Sequence, residues 1–99
     1  MIKILVMCNW GNSSGLLARA LTRAYSDITS EERGIKNNKL EDPKDWDMVI
    51  IAPHIKNQLE MLEMYFTPIP VVIPSSLAYY SSNVKQIRKL IDQTLKEGK

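Results

Sequence analysis

MIKILVMCNWGNSSGLL, residues Met1 to Leu17, passes from an apolar run through a turn to the start of a helix, and its reading decides the fold. Ile2, Ile4, Leu5, Val6 and Met7 leave no solvated face of the alternating kind, which predicts a parallel strand buried on both sides. The strand ends at Cys8. Asn9, Gly11, Asn12, Ser13, Ser14 and Gly15 supply a turn of small residues whose backbone bends easily and whose N–H groups bulky side chains do not screen. From about Gly15 the spacing predicts a helix with Leu17, Ala20, Leu21 and Ala24 on one face, fading near Tyr25 or Ser26.

A strand, a small-residue loop and a helix N-terminus make an anion site, because the free N–H groups of the first helical turn and the helix dipole both face the loop. Cys8 stands at its lip. The field that attracts an anion also favours thiolate, so Cys8 is expected to titrate below the roughly 8.5 of an ordinary thiol and to act as a nucleophile. Attack on phosphorus leaves a group of about −2 charge. The loop N–H groups that activate the attacker are placed to hold that product. A lone Cys at a strand end is by default an inert core residue. The run Gly11, Ser13, Ser14, Gly15 leading directly into an amphipathic helix argues instead for a reactive one.

Outward from this stretch, strands and helices alternate. Asp27 to Trp46 is the least legible segment, with a polar edge strand expected between Ile28 and Ile35 and a surface loop over Asn37–Asp45. Met48-Val49-Ile50-Ile51-Ala52 is a second buried strand stopped by Pro53. Ile55, Leu59, Leu62 and Phe66 predict a helix over roughly Lys56–Tyr65, ended by Pro68 and Pro70. Val71-Val72-Ile73 is a further strand, Ser75–Ser82 a loop, and Asn83 the N-cap of a last helix through Val84, Ile87, Ile91 and Leu95 to Gly98. Met48, Met61 and Met64 read as core or helix filler.

This alternation predicts an α/β fold, a parallel sheet with helices on both faces in a three-layer sandwich; the order 2-1-3-4 expected for its four strands goes with a resemblance to the fold of low-molecular-weight tyrosine phosphatase. Ligands in such sheets bind at the carboxyl edge. The loops Cys8–Gly15, Pro53–Ile55 and Ser75–Ser82 meet there.

Composition bounds the function. Ninety-nine residues, 44% hydrophobic and 24% charged, suit one soluble domain spanning 1–99. Thirteen basic against eleven acidic residues, scattered along the chain, give no reason to expect nucleic acid. A single Cys excludes an internal disulfide and a cysteine-rich metal site. Without a signal-like start or an apolar run near the roughly 20 residues that span a bilayer, a cytoplasmic protein with no membrane insertion is expected.

Named motifs narrow the chemistry. A nucleotide-hydrolase loop needs Lys and Ser/Thr where Leu16-Leu17 stand, and Gly11 and Gly15 do not fit Gly-x-Gly-x-x-Gly. A small cysteine phosphatase needs an Arg clamp six positions after the Cys; that position is Ser14. Arg19 and Arg23 read as solvated helix charges. A leaving-group acid is missing unless Asp42, Asp45 or Asp47 swings in.

Cys8-Asn9-Trp10-Gly11-Asn12-Ser13-Ser14-Gly15-Leu16-Leu17 resembles the Cys-x-x-Gly-x-Ser-Thr/Ser-Ser-Leu-Leu loop of the IIB component of the lactose/cellobiose (chitobiose) type of sugar phosphotransferase system. Val49-Ile50-Ile51-Ala52-Pro53-His54 is similar to that family's third strand and Gly-Pro-Gln turn, and Ile69-Pro70-Val71-Val72-Ile73 to its Pro-Val strand. The resemblance covers essentially the whole chain and is weakest between Ser26 and Trp46. It implies a phosphorelay without metal or organic cofactor. A IIA phosphohistidine donates to Cys8, and the phosphocysteine passes its group to a sugar held by the IIC membrane transporter, a β-linked disaccharide such as cellobiose, chitobiose or lactose. Asn9, Trp10, Gly11, Asn12, Ser13, Ser14 and Gly15 would bind the phosphoryl group.

The relay also gives a reason for the missing Arg, since a carrier must hold phosphate without hydrolysing it. Departures from the pattern are Gly15 for Ser, Ala52 for Gly, His54 for Gln, Pro74 for Asp, Ala78-Tyr79-Tyr80 for Tyr-Gly, and the bulky Trp10. His54, the single histidine, is either an accessory proton or phosphoryl carrier or an ordinary loop residue. Trp10, Tyr79 and Tyr80 either dock a partner or pack over the sheet edge. Two other classes stay open: a phosphatase or arsenate-reductase-like enzyme, and a regulatory module in which Cys8 is oxidised.

Overall fold

Two apolar runs fall at the centre of one parallel sheet. The structure, a computed structural model, describes residues 1–9, 12–36 and 41–97, with Asn12, Ser13 and Glu97 described in their backbone only. Strand β1 is Ile2–Cys8, β2 Ile28–Gly34, β3 Met48–Ile51 and β4 Val71–Val72, in the order β2-β1-β3-β4. All pairings are parallel: Ile2↔Ile28 through Cys8↔Gly34, Ile4↔Met48 through Met7↔Ile51, and Val49↔Val71 with Ile50↔Val72. The order is the expected one. Ile4 to Cys8 and Met48 to Ile51 are all buried, as strands covered on both faces must be.

Helix α1 is Asn12–Ala24, α2 Leu59–Phe66, α3 Ser76–Tyr80 and α4 Val84–Glu97. The crossover from β1 to β2 and that from β3 to β4 run in opposite directions along the sheet. With both right-handed, α1 and α2 cover opposite faces. Helix α4 lies beside α1, and the Arg88 guanidinium stacks 5.0 Å from the Tyr25 ring centre.

Several boundaries differ from expectation. Helix α1 starts at Asn12, three residues before Gly15, and its buried stripe is Ser14, Leu17, Ala18 and Leu21. Ala20 is half-buried and Ala24 exposed, so the helix is rotated from the Leu17–Ala24 face. Strand β2 lies where the edge strand was expected and runs to Gly34, which pairs with Cys8. In the expected loop at 37–45, residues 37–40 lie outside the described residues, and Pro43–Asp45 forms a 3-10 turn capped by Asp42, whose side chain accepts from the Lys44 N–H.

The chain from Pro53 to Gln58 is a 3-10 segment before α2, so the helix expected from Lys56 starts later. It stops at Phe66 because Thr67, before Pro68, is held extended. Ser75–Ser82 is not a loop throughout: α3 occupies most of it. The expected end of the last helix, Gly98, lies outside the described residues. Met48 is core, whereas Met61 and Met64 are exposed on α2.

Candidate functional site

The carboxyl ends of the strands gather at one edge, and the backbone around Cys8 is tied from both sides. Ala52 N–H donates to Met7 O at 2.9 Å, Ile35 N–H to Cys8 O at 2.8 Å, and Lys36 N–H to Asn9 O at 2.9 Å. Cys8 is therefore held at the end of the central strand while its side chain meets α1. Its Sγ lies 3.4 Å from Ser14 Oγ. Both are buried, and Ser14, fully so, is the one buried polar or charged side chain among the described residues.

Because α1 begins at Asn12, Ser13, Ser14 and Gly15 belong to its first turn rather than to the loop. First-turn N–H groups have no carbonyl partner within the helix and carry the positive end of its dipole. No acidic residue in that turn competes for them. Gly15 is buried, and a Cβ there would stand 3.3 Å from Arg19 Nη1 and 3.8 Å from Glu32 Cγ. Asn9 is half-buried; Trp10 and Gly11 lie outside the described residues, as do the side chains of Asn12 and Ser13.

His54 and Tyr80 form a separate pair on the segments that follow β3 and β4. His54 Nδ1 is 2.6 Å from Tyr80 Oη, and their rings stack at 6.1 Å with an interplanar angle of 22°. Tyr79 is buried, its ring edge-on to Tyr80 at 5.1 Å, so of the two tyrosines only Tyr80 faces solvent. Asp47 lies at the amino end of β3, where it accepts from the Lys3 N–H at 2.8 Å, and Asp42 caps its own turn. Asp47 is therefore not at the Cys8 edge.

Sequence reading missed two features of this site. The early start of α1 was signalled by Asn12, Ser13 and Ser14, which also suit a loop. The return of Arg19 over Gly15 had no sequence signal beyond their spacing of four. Among the described residues no group of three or more His, Cys, Asp or Glu side chains is placed to hold a metal ion, and no helix is long and apolar enough to cross a membrane.

A four-stranded parallel sheet in this order, with a cysteine at the end of an inner strand and a helix rising beside it, defines an α/β fold. No protein-family model and no curated protein matches the chain. Among solved structures, it is similar to the lactose-specific IIB component domain of the phosphoenolpyruvate:carbohydrate phosphotransferase system from Streptococcus pneumoniae. The TM-score is 0.66 at 16% identity, over 92% of this chain and 95% of that one. The chain shares the fold of that domain.

Proposed function

We propose that this chain is a single IIB-type domain, a cytoplasmic phosphocysteine carrier of a sugar phosphotransferase system, with Cys8 as the residue that carries the phosphoryl group. The observation that supports it is the contact of Cys8 Sγ with Ser14 Oγ at 3.4 Å, between the end of β1 and the acid-free first turn of α1. A hydroxyl there donates to a thiolate and turns to a phosphoryl oxygen once sulfur is occupied.

The first transfer is from a IIA phosphohistidine. The S–P bond forms as the N–P bond breaks, and the imidazole nitrogen takes up the proton that the thiol gives up. In the second, the hydroxyl oxygen of a sugar held by a IIC transporter attacks phosphorus, the S–P bond breaks, and the hydroxyl proton passes to the departing sulfur, which regenerates the thiol. Backbone N–H groups from Asn9 to Gly15 stabilise the charge, and no cofactor takes part. The sugar is of the β-linked disaccharide class. A phosphatase reading is disfavoured by Ser14, whose hydroxyl contacts sulfur where an arginine clamp would stand.

Intact mass after incubation with phosphoenolpyruvate, the general phosphotransferase proteins and a matching IIA tests the proposal. One phosphoryl adduct is expected, dependent on IIA and absent from Cys8→Ser. No adduct with several competent IIA donors overturns it.

A further inference from the structure

We propose that Arg19 is the cationic arm of the Cys8 site, its guanidinium closing on the phosphoryl group from over the first turn of α1. The inference rests on the phosphocysteine reading and adds to it a residue outside the loop. Side chains of a helix lean toward its N-terminus and over the turn before their own Cα, so Arg19 is directed back toward Gly15. Gly15 has no Cβ to obstruct it. Nη1 lies 3.3 Å from where that atom would stand, tighter than an ordinary contact, and Cζ 3.9 Å, an ordinary one.

The same position is 3.8 Å from Glu32 Cγ, so the first turn of α1 that the Arg19 guanidinium covers faces β2. Glu32 is two residues from Gly34, the register partner of Cys8. The charge of Arg19 thus stands on the flank of the anion site.

The other arginines are committed or distant. Arg33 pairs with Glu31 at 3.0 Å and Glu41 at 3.4 Å, and Arg88 with Asp27 at 2.7 Å and Asp92 at 3.1 Å. Arg23 lies in the last turn of α1. Arg19 makes no ion pair among the described residues and is exposed, so it moves without breaking one. Phosphorylation replaces a thiol or thiolate by a group of about −2 charge, a stronger attraction than the single carboxylate of Glu32. Coming from the helix flank, the guanidinium stabilises the charge of the carried group without supplying the loop clamp that hydrolysis would need.

The test is the equilibrium distribution of the phosphoryl group between IIA and this chain, read by intact mass for wild type, Arg19→Gln and Arg19→Lys at low and high salt. Losing one charge-assisted contact lowers the ratio of phosphorylated chain to phosphorylated IIA by about tenfold in Arg19→Gln, and added salt narrows the gap. Arg19→Lys recovers most of the ratio, and all three proteins unfold at the same temperature. A ratio in Arg19→Gln equal to wild type, with wild type phosphorylated, overturns the role of Arg19 and leaves the relay standing. Absence of an adduct on wild type overturns the relay and this proposal together.

Discussion

Ser14 is the residue at which packing and chemistry coincide, because a fully buried hydroxyl has Cys8 Sγ as its neighbour at 3.4 Å. Ser14→Ala removes that donor while keeping the helix, since alanine suits a helical turn. The expected outcome is a folded protein in which Cys8 alkylation by iodoacetamide is about five- to tenfold slower at neutral pH, its midpoint moved upward. An unchanged rate would mean that the hydroxyl does not support the thiolate. The place of Cys8 at the end of β1 was legible because the apolar run stops there and small turn residues follow. The meeting of Ser14 with it was not, because that depends on the helix starting at Asn12.

Among the elements, the joint between α3 and α4 compresses two caps into neighbouring residues. Ser82 N–H bonds Tyr79 O at 3.2 Å and Asn83 N–H bonds Ala78 O at 2.9 Å, closing α3 in a Schellman turn with Ser82 at φ 52°. Asn83 Oδ1 then accepts from Gln86 N–H at 3.2 Å and starts α4. A left-handed serine is strained where glycine is not, so Ser82→Gly is expected to stabilise the protein by roughly 0.5–1 kcal/mol in denaturant unfolding. A loss of stability would contradict the cap geometry. The Asn83 cap was readable from its residue type and the apolar period that follows. Helix α3 was not, because five residues are too short to establish a period, although Ser75 does cap it, accepting from Ala78 N–H at 3.2 Å. Strand β2 has little apolar pattern to read, since its support is polar: Ser30 N–H donates to Thr22 Oγ1 at 3.2 Å, and Glu31 and Glu41 flank Arg33. Burial opposes the charge of Arg33, but those two carboxylates outweigh it and raise its pKa.

For the molecule as a whole, a parallel sheet was legible from two uninterrupted apolar runs and the alternation of strand and helix, whereas the order of its strands came with the resemblance and not from the runs themselves. One surface cluster ties its distant parts together. Arg88 of α4 reaches Asp27, at the turn into β2, with both guanidinium ends, at 2.7 and 2.9 Å, while its Nε bonds Asp92. The Arg88 hydrogen bond holds the Asp27 carboxyl below its ordinary 3.8, and the two acids raise the pKa of Arg88. A carboxyl depressed on folding adds stability above its unfolded value and loses it as pH falls through the folded one. Asp27→Asn is thus expected to be less stable than wild type at neutral pH, the gap closing as acid is added below about 3.8. Denaturation midpoints over that range check it, and a gap that persists in strong acid would refute it.

The paired backbone on both sides of Cys8 has a last consequence for the proposed relay. A sulfur mounted on a strand laced to two neighbours gains or loses its cargo with the frame standing still. In that proposed relay, loaded and empty carriers would differ to docking proteins chiefly in the charge borne at Cys8. On the same proposal, release of the spent carrier by one partner and its acceptance by the other would turn on charge more than on induced fit, and would weaken as salt is added.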